Sequence, residues 1–214
     1  MIRLAALAAL FAAAPAIAED RLAPGIWTNT EDTYFAEGEG RERAPDRLFE
    51  VADDGRWRAL DAFAQPQGEW AGGPIPGLTA RAVGGWQLKG SEIRRLRRFT
   101  CKLSVRRFAG KPDDRADWTF ARGLKLFDQG GRVLVSGNGA APDITLGMRD
   151  VTWPKGIRNR PGLVLYVHRD DSERAESYVW ASPDAGFVGI NLRRVQGNCA
   201  IDEGDRQAWN RPAP

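Results

Sequence analysis

The chain has 214 residues, with 31 Lys and Arg against 28 Asp and Glu, which gives a formal net charge of +3. So small a net charge argues against a nucleic-acid-binding protein, which normally carries a marked basic excess. The length is enough for one sizeable core or two small domains.

The first 18 residues predict a secretory signal peptide. Arg3 lies in the short start, an apolar run covers 4–14, and Ala16-Ile17-Ala18 has the small residues of a cleavage site. A membrane-spanning helix needs about 20 apolar residues, so this run predicts export and not a transmembrane anchor. We therefore expect cleavage after Ala18 and a soluble periplasmic or secreted protein that begins near Glu19.

After the predicted cleavage site, short strands alternate with polar turns. Three hairpins are predicted, at 47–51 with 56–60, at 124–127 with 132–135, and at 163–168 with 176–181. A turn at 182–186 then leads into the strand region 187–195, and the Gly- and Pro-rich segments 65–77 and 137–142 are predicted loops. This pattern, with roughly ten to twelve strands, predicts an all-β fold. An antiparallel β-barrel is preferred, and a β-sandwich is the alternative.

The clearest predicted strand covers 98–106, where apolar and polar residues alternate, so that one face should be core and the other basic. It belongs to the segment 94–107, which has seven basic residues and no acidic one. This segment supplies the candidate residues for an anionic ligand: Arg94, Arg95, Arg97, Arg98, Lys102 and Arg106. Alternatively, these cations are solvated or paired internally, and the acid-rich segment 31–54 is then the natural source of carboxylates.

The two cysteines, Cys101 and Cys199, are predicted to form a disulfide, because an oxidising compartment favours joining the only available pair. The alternative of a redox-active pair lacks the C-x-x-C spacing that tunes a reactive thiol.

We expect one domain over 19–210, followed by a frayed tail at 211–214. A second interpretation divides the chain into half-domains 19–110 and 111–210, because Leu-Arg-Arg precedes both Cys101 and Cys199 at short distance.

Catalytic signatures are mostly missing. His168 is the only histidine, which excludes multi-histidine zinc sites, and no cofactor or metal is expected. Two groups of carboxylates could in principle supply the acid and base of a glycan hydrolase, although solvated loops are the better interpretation. These groups are Glu37, Glu39 and Glu42, and Asp170, Asp171 and Glu173.

The eight tryptophans are the most informative excess in the composition. Most of them should lie in the core of an all-β protein, because indole rings pack well on pleated sheets and are costly to expose. Trp70 and Trp153 stand in loop-like contexts, so we expect these two to be presented to a glycan or an apolar ligand.

Gly25-Ile26-Trp27, on the first predicted strand, resembles the G-x-W of lipocalins and the wider calycin barrels. The segment 118–135 is similar to the late hairpin of periplasmic metalloprotease-inhibitor barrels in that group. The resemblance implies an up-and-down barrel whose interior or rim binds a ligand. It carries no functional residue over to this chain.

Together these features predict an exported, non-catalytic binding protein for an envelope ligand, a glycolipid or a protein partner. A periplasmic protease inhibitor and a carboxylate-based glycan hydrolase are the alternative functions.

Overall fold

The computed structural model describes residues 21–82, 84–107, 117–153, 161–170 and 172–205. The predicted signal peptide and the tail 211–214 lie outside these ranges. Among the described residues, no helix has the length and apolarity needed to cross a membrane.

The described part is half strand and 8% helix. Its strands are β1 (Gly25–Thr28), β2 (Leu48–Val51), β3 (Trp57–Ala59), β4 (Leu78–Ala80), β5 (Trp86–Leu88), β6 (Ser91–Arg95), β7 (Arg98–Arg106), β8 (Trp118–Phe127), β9 (Gln129–Val135), β10 (Ile144–Val151), β11 (Gly162–Arg169), β12 (Ser177–Ala181), β13 (Phe187–Asn191) and β14 (Val195–Ile201), and its helices are α1 (Thr30–Ala36) and a 3-10 turn (Glu37–Glu39).

The N-terminal strands form one six-stranded antiparallel sheet in the order β3-β2-β1-β6-β5-β4. The predicted hairpin at 47–60 is confirmed, since β2 pairs with β3 and Val51 lies opposite Trp57. A small apolar cluster covers this sheet, and Trp27, Trp57 and Trp86 pack against it. These three tryptophans therefore have the structural role that the sequence indicates for most of the eight.

Two further antiparallel sheets, in the orders β12-β11-β10-β9 and β13-β14-β7-β8, contribute to one large core. The alternation predicted for β7 is confirmed, because Phe99, Cys101, Leu103 and Val105 are almost fully buried. The all-β prediction is likewise confirmed, and the sheets include a half-barrel.

The predicted disulfide is present. Cys101 on β7 and Cys199 on β14 are bonded and lie directly opposite each other in the sheet. Both are fully buried in the large core, so the bond joins two strands that are neighbours in space and 98 residues apart in sequence.

The predicted hairpin between 124–127 and 132–135 is wrong. β8 pairs with β7, while β9 pairs with β10, so the chain passes here from one sheet to the other. The corner is too tight for a side chain at Gly131, where an added Cβ would lie 2.6 Å from the backbone of Phe127. The buried carboxylate of Asp128 accepts a hydrogen bond from the backbone N–H of Arg97 and fixes the turn. The hairpin at 163–181 is confirmed by the pairing of β11 with β12.

β7 precedes residue 110, yet its hydrogen-bonded neighbours β8 and β14 both follow that residue. A boundary at residue 110 would therefore divide one sheet. We retain a single domain over 19–210 as the prediction.

Candidate functional site

The outward side of the sheet β9–β12 has a continuous row of rings, which we call the aromatic face. It consists of Trp153, Trp180, Tyr178, Tyr166 and His168. The centroid distances between successive rings along the row are 4.6, 5.9, 6.2 and 6.3 Å. No gap in the row is wide enough to separate the rings into independent patches.

Strand alternation explains why these rings share one side of the sheet. On β11, Leu163, Leu165 and Val167 point into the large core, so Tyr166 and His168 point outward. The pairing of β11 with β12 then places Tyr178 directly opposite Tyr166. Trp180, two residues further along β12, is on the same side.

Two of the five rings are largely exposed and the other three are half-buried. Tyr178 is 56% exposed and Trp180 is 51% exposed. Neighbouring rings are inclined at 40–49°, except for Tyr178 and Trp180, which meet edge to face at 77°. The rings therefore do not form one flat platform.

Two glycines leave room beneath these rings. At Gly162 an added Cβ would lie 3.2 Å from the indole ring of Trp180, so the ring rests directly on the strand backbone. Gly147 lies between Arg132 on β9 and Tyr166 on β11 in the strand register. Because Gly147 has no side chain, only backbone lies between Arg132 and Tyr166 on this side of the sheet.

Arg149 provides a fixed charge beside the row. Its guanidinium group binds both carboxylate oxygens of Glu31 on α1, each at 2.7 Å. It also lies 3.9 Å from the ring centroid of Tyr34, a residue that is 59% exposed. Helix α1 thereby extends the face with another aromatic side chain.

His168 and Tyr166 are neutral hydrogen-bonding groups at neutral pH. Burial, together with the nearby charge of Arg132, lowers the pKa of His168, and its Nδ1 lies 3.2 Å from the carbonyl oxygen of Ser172. Burial raises the pKa of Tyr166. Both side chains can therefore donate or accept hydrogen bonds without carrying charge.

Of the two tryptophans predicted to be presented, Trp153 lies on the aromatic face and is half-buried against Trp180. Trp70 lies elsewhere, beneath the guanidinium groups of Arg58 and Arg56, which are 4.3 and 5.9 Å from its centroid. Trp70 borders a hollow of about 370 Å³ together with Arg95 and Arg98. The structure thus brings three of the predicted ligand residues together there, away from Trp153.

Arg97 does not lie on the predicted basic surface. It is 3% exposed, and its guanidinium group binds Asp128 at 2.5 Å, Asp150 at 3.1 Å and the carbonyl oxygen of Pro183. A guanidinium group can be buried only when such partners compensate its charge. Arg97 is therefore placed to join the N-terminal sheet to the other two sheets.

Most of the other predicted cations are paired, although not with the acid-rich segment 31–54. Arg95 and Arg98 share Asp205, Arg106 lies 3.7 Å from Asp117, and Arg94 is 3.4 Å from Glu92. Carboxylates within 31–54 bind other arginines instead, as Glu31 binds Arg149. Lys102 is exposed and has no ion-pair partner among the described residues.

Burial raises the pKa of Asp128 to about 6, although the charge of Arg97 acts in the opposite direction. Native Asp128 therefore keeps its proton over a pH range, from about 4 to 6, in which the unfolded chain has lost it. In this range the native state binds more protons, so Asp128 makes the free energy of unfolding fall as pH rises. Asp150, whose pKa is also raised by burial, acts in the same direction.

We expect this contribution to disappear in Asp128→Asn. Urea denaturation at several pH values between 4 and 7 would measure it, as the difference in slope between the wild type and the variant. The wild-type free energy should fall more steeply with pH than that of the variant. Parallel slopes would contradict the raised pKa.

Two of the carboxylates considered for glycan hydrolysis lie beside arginines. Glu39 binds Arg41 at 2.7 Å, and Asp170 is exposed beside Arg169, while Asp171 lies outside the described residues. Among the residues that the structure describes, no group of three His, Cys, Asp or Glu side chains could hold a metal ion.

Comparison of the chain with family models, with curated proteins and with solved structures found no match.

Proposed function

We propose that this chain is an exported, non-catalytic binding protein that holds a glycan on the aromatic face. The observation that carries the proposal is the unbroken row of rings from Trp153 to His168, with Trp180 and Tyr178 about half exposed. Large exposed aromatic patches are uncommon on soluble proteins and generally mark a binding surface.

The chemistry of the face suits a sugar chain. A sugar ring has apolar C–H surfaces, which stack on aromatic rings, and hydroxyl groups around its edge. Trp180 and Tyr178 offer the apolar surfaces, while Arg149, His168 and the phenol groups offer hydrogen bonds beside them. Because neighbouring rings are inclined by 40–77°, they suit separate sugar units better than one flat aromatic ligand.

The alternative functions have less support. The similarity to inhibitor barrels rested partly on a hairpin at 118–135, and β8 and β9 pair with different strands. A glycan hydrolase needs one carboxyl group as acid and another as base or nucleophile. Glu31, a carboxylate beside the aromatic face, is bound through both oxygens to Arg149.

The predicted export and the disulfide fit this proposal, because disulfides persist in oxidising compartments such as the periplasm. The proposed site differs from the one implied by the calycin resemblance. It lies on the outside of a sheet and not in a barrel interior.

The variant Trp180→Ala/Tyr178→Ala tests the proposal. We expect the wild type to bind at least one member of a panel of peptidoglycan fragments and cello-, chito-, xylo- and manno-oligosaccharides. The variant should bind it at least about 10-fold more weakly, because truncation of an anchoring aromatic residue typically costs 2 kcal/mol or more. Isothermal titration calorimetry would measure both affinities.

Phe63→Ala is the matched control, since Phe63 is 58% exposed and lies outside the aromatic face. It should leave glycan affinity unchanged. Absence of binding to every member of the panel, or equal affinity in the wild type and the double variant, would overturn the proposal.

A further inference from the structure

The outward side of the other four-stranded sheet has a different character. Lys102 on β7 lies directly opposite Arg122 on β8. Both side chains are exposed, and neither has an ion-pair partner among the described residues. We call this side of the sheet β13-β14-β7-β8 the basic face.

A β-bulge brings these two cations together. The register of β7 and β8 shifts between Cys101 and Lys102, so that Cys101 pairs with Leu124 while Lys102 pairs with Arg122. Gly123 is the extra residue and has a φ of +69°, which glycine adopts without strain. The bulge keeps Leu124 packed against the core and still places Arg122 beside Lys102.

More exposed cations lie at one end of this face. The backbone N–H of Arg106 donates to the carbonyl oxygen of Arg194 at 2.8 Å, which holds the β13–β14 turn beside the end of β7. Arg107, Arg193 and Arg194 are all exposed there. In the part of the chain that the structure describes, none of the three has an ion-pair partner.

Among the described residues, two carboxylates near this face are bound by other cations. Asp202 pairs with Lys125 at 3.1 Å and Asp205 with Arg98 at 3.2 Å. Within the described ranges, the five cations Lys102, Arg107, Arg122, Arg193 and Arg194 therefore form a surplus of positive charge.

Exposed phenylalanines stand on the two edge strands of the sheet. Phe120 on β8 is 60% exposed, and Phe187 on β13 is 58% exposed. Phe120 lies opposite Ser104, next to Lys102 and Arg122 along the strands. Phe187 lies opposite Ala200. Lys102 thus lies on an inner strand of the face, Arg122 lies beside Phe120 on one edge strand, and Phe187 lies on the other edge strand.

We infer that the basic face docks on an anionic lipid surface. Basic clusters bind anionic lipid headgroups through their charge, and exposed aromatic side chains enter the boundary between headgroups and acyl chains. A typical protein interface has an apolar centre depleted of charge, whereas the inner strand β7 of this face carries Lys102. The inference does not rest on the proposed glycan site, because the aromatic face and the basic face belong to different sheets.

Co-sedimentation with vesicles tests the inference. The full chain should bind vesicles of phosphatidylcholine that contain phosphatidylglycerol, should bind pure phosphatidylcholine weakly or not at all, and should lose binding as salt is raised. The variant Lys102→Gln/Arg122→Gln/Arg193→Gln/Arg194→Gln should bind the anionic vesicles roughly 1,000-fold more weakly. A separate variant, Phe120→Ser/Phe187→Ser, should weaken binding while leaving its salt dependence unchanged.

The matched control removes the same charge from exposed residues of the N-terminal part, as Arg21→Gln/Arg43→Gln/Arg47→Gln/Lys89→Gln. It should retain most of the binding, and circular dichroism should show all variants folded. Absence of binding by the wild type would overturn the inference. Equal losses in the two quadruple variants would do so as well, because they would show attraction by overall charge alone.

Discussion

Replacing Arg97 with methionine is expected to lower the free energy of unfolding by about 3–5 kcal/mol, the usual cost of removing one partner from a buried ion pair. The variant leaves the carboxylates of Asp128 and Asp150 buried without their counter-charge, and the carbonyl oxygen of Pro183 loses a donor. Urea denaturation at pH 7 would measure the loss. It should be smaller below pH 6, where Asp128 can become neutral by taking up a proton.

Arg43→Met is the matched control, because Arg43 is exposed and its ion pair with Asp46 lies on the surface. Exposed ion pairs contribute at most about 1 kcal/mol, so the control should remain close to the wild type. A loss below about 1 kcal/mol in Arg97→Met would show that the buried cluster does not hold the sheets together.

Removing the disulfide with Cys101→Ala/Cys199→Ala is expected to cost about 4–5 kcal/mol in the chain-entropy model for a loop of this length. The bond restricts the unfolded chain over a sequence separation of 98 residues. The two residues are also fully buried, so the alanines lose some packing in the core. Chemical denaturation of the oxidised wild type and the variant would give the difference.

Wild-type protein treated with a reductant should approach the stability of this variant. Alkylation followed by intact-mass measurement would show whether the disulfide is present, since neither cysteine should be alkylated until reductant is added. Free thiols in the untreated protein, or equal stability with and without reductant, would be inconsistent with the expected role of the bond.

The features that could be read from the sequence depend on local periodicity. In β7 the alternation of Phe99, Cys101, Leu103 and Val105 with polar residues fixes both the strand and its buried side. The hairpin predicted at 124–135 is wrong, because a turn rich in Asp and Gly can also form a corner between two sheets. Asp128 and the glycines after it form a corner between sheets, and the corner is stabilised by Arg97, 31 residues earlier.

Only part of the candidate site can be predicted from local periodicity. Trp153 was predicted to be presented, but its stacking on Trp180 depends on how β10, β11 and β12 align. The spacing of Tyr166 with His168, and of Tyr178 with Trp180, was an available signal for two outward-pointing pairs. In the sequence, Arg97 cannot be distinguished from its basic neighbours. The carboxylates that pair with it, those of Asp128 and Asp150, lie 31 and 53 residues away.

The central position of β7 also constrains when the protein can fold. One of its neighbours, β8, follows soon after it, but the other, β14, ends only at Ile201. Pairing over such a distance in sequence is slow, and the chain cannot complete it until the later strand has been synthesised. A chain with the predicted signal peptide would therefore remain without its core sheet throughout most of its synthesis. That delay is compatible with threading an unfolded polypeptide across a membrane before it folds on the other side.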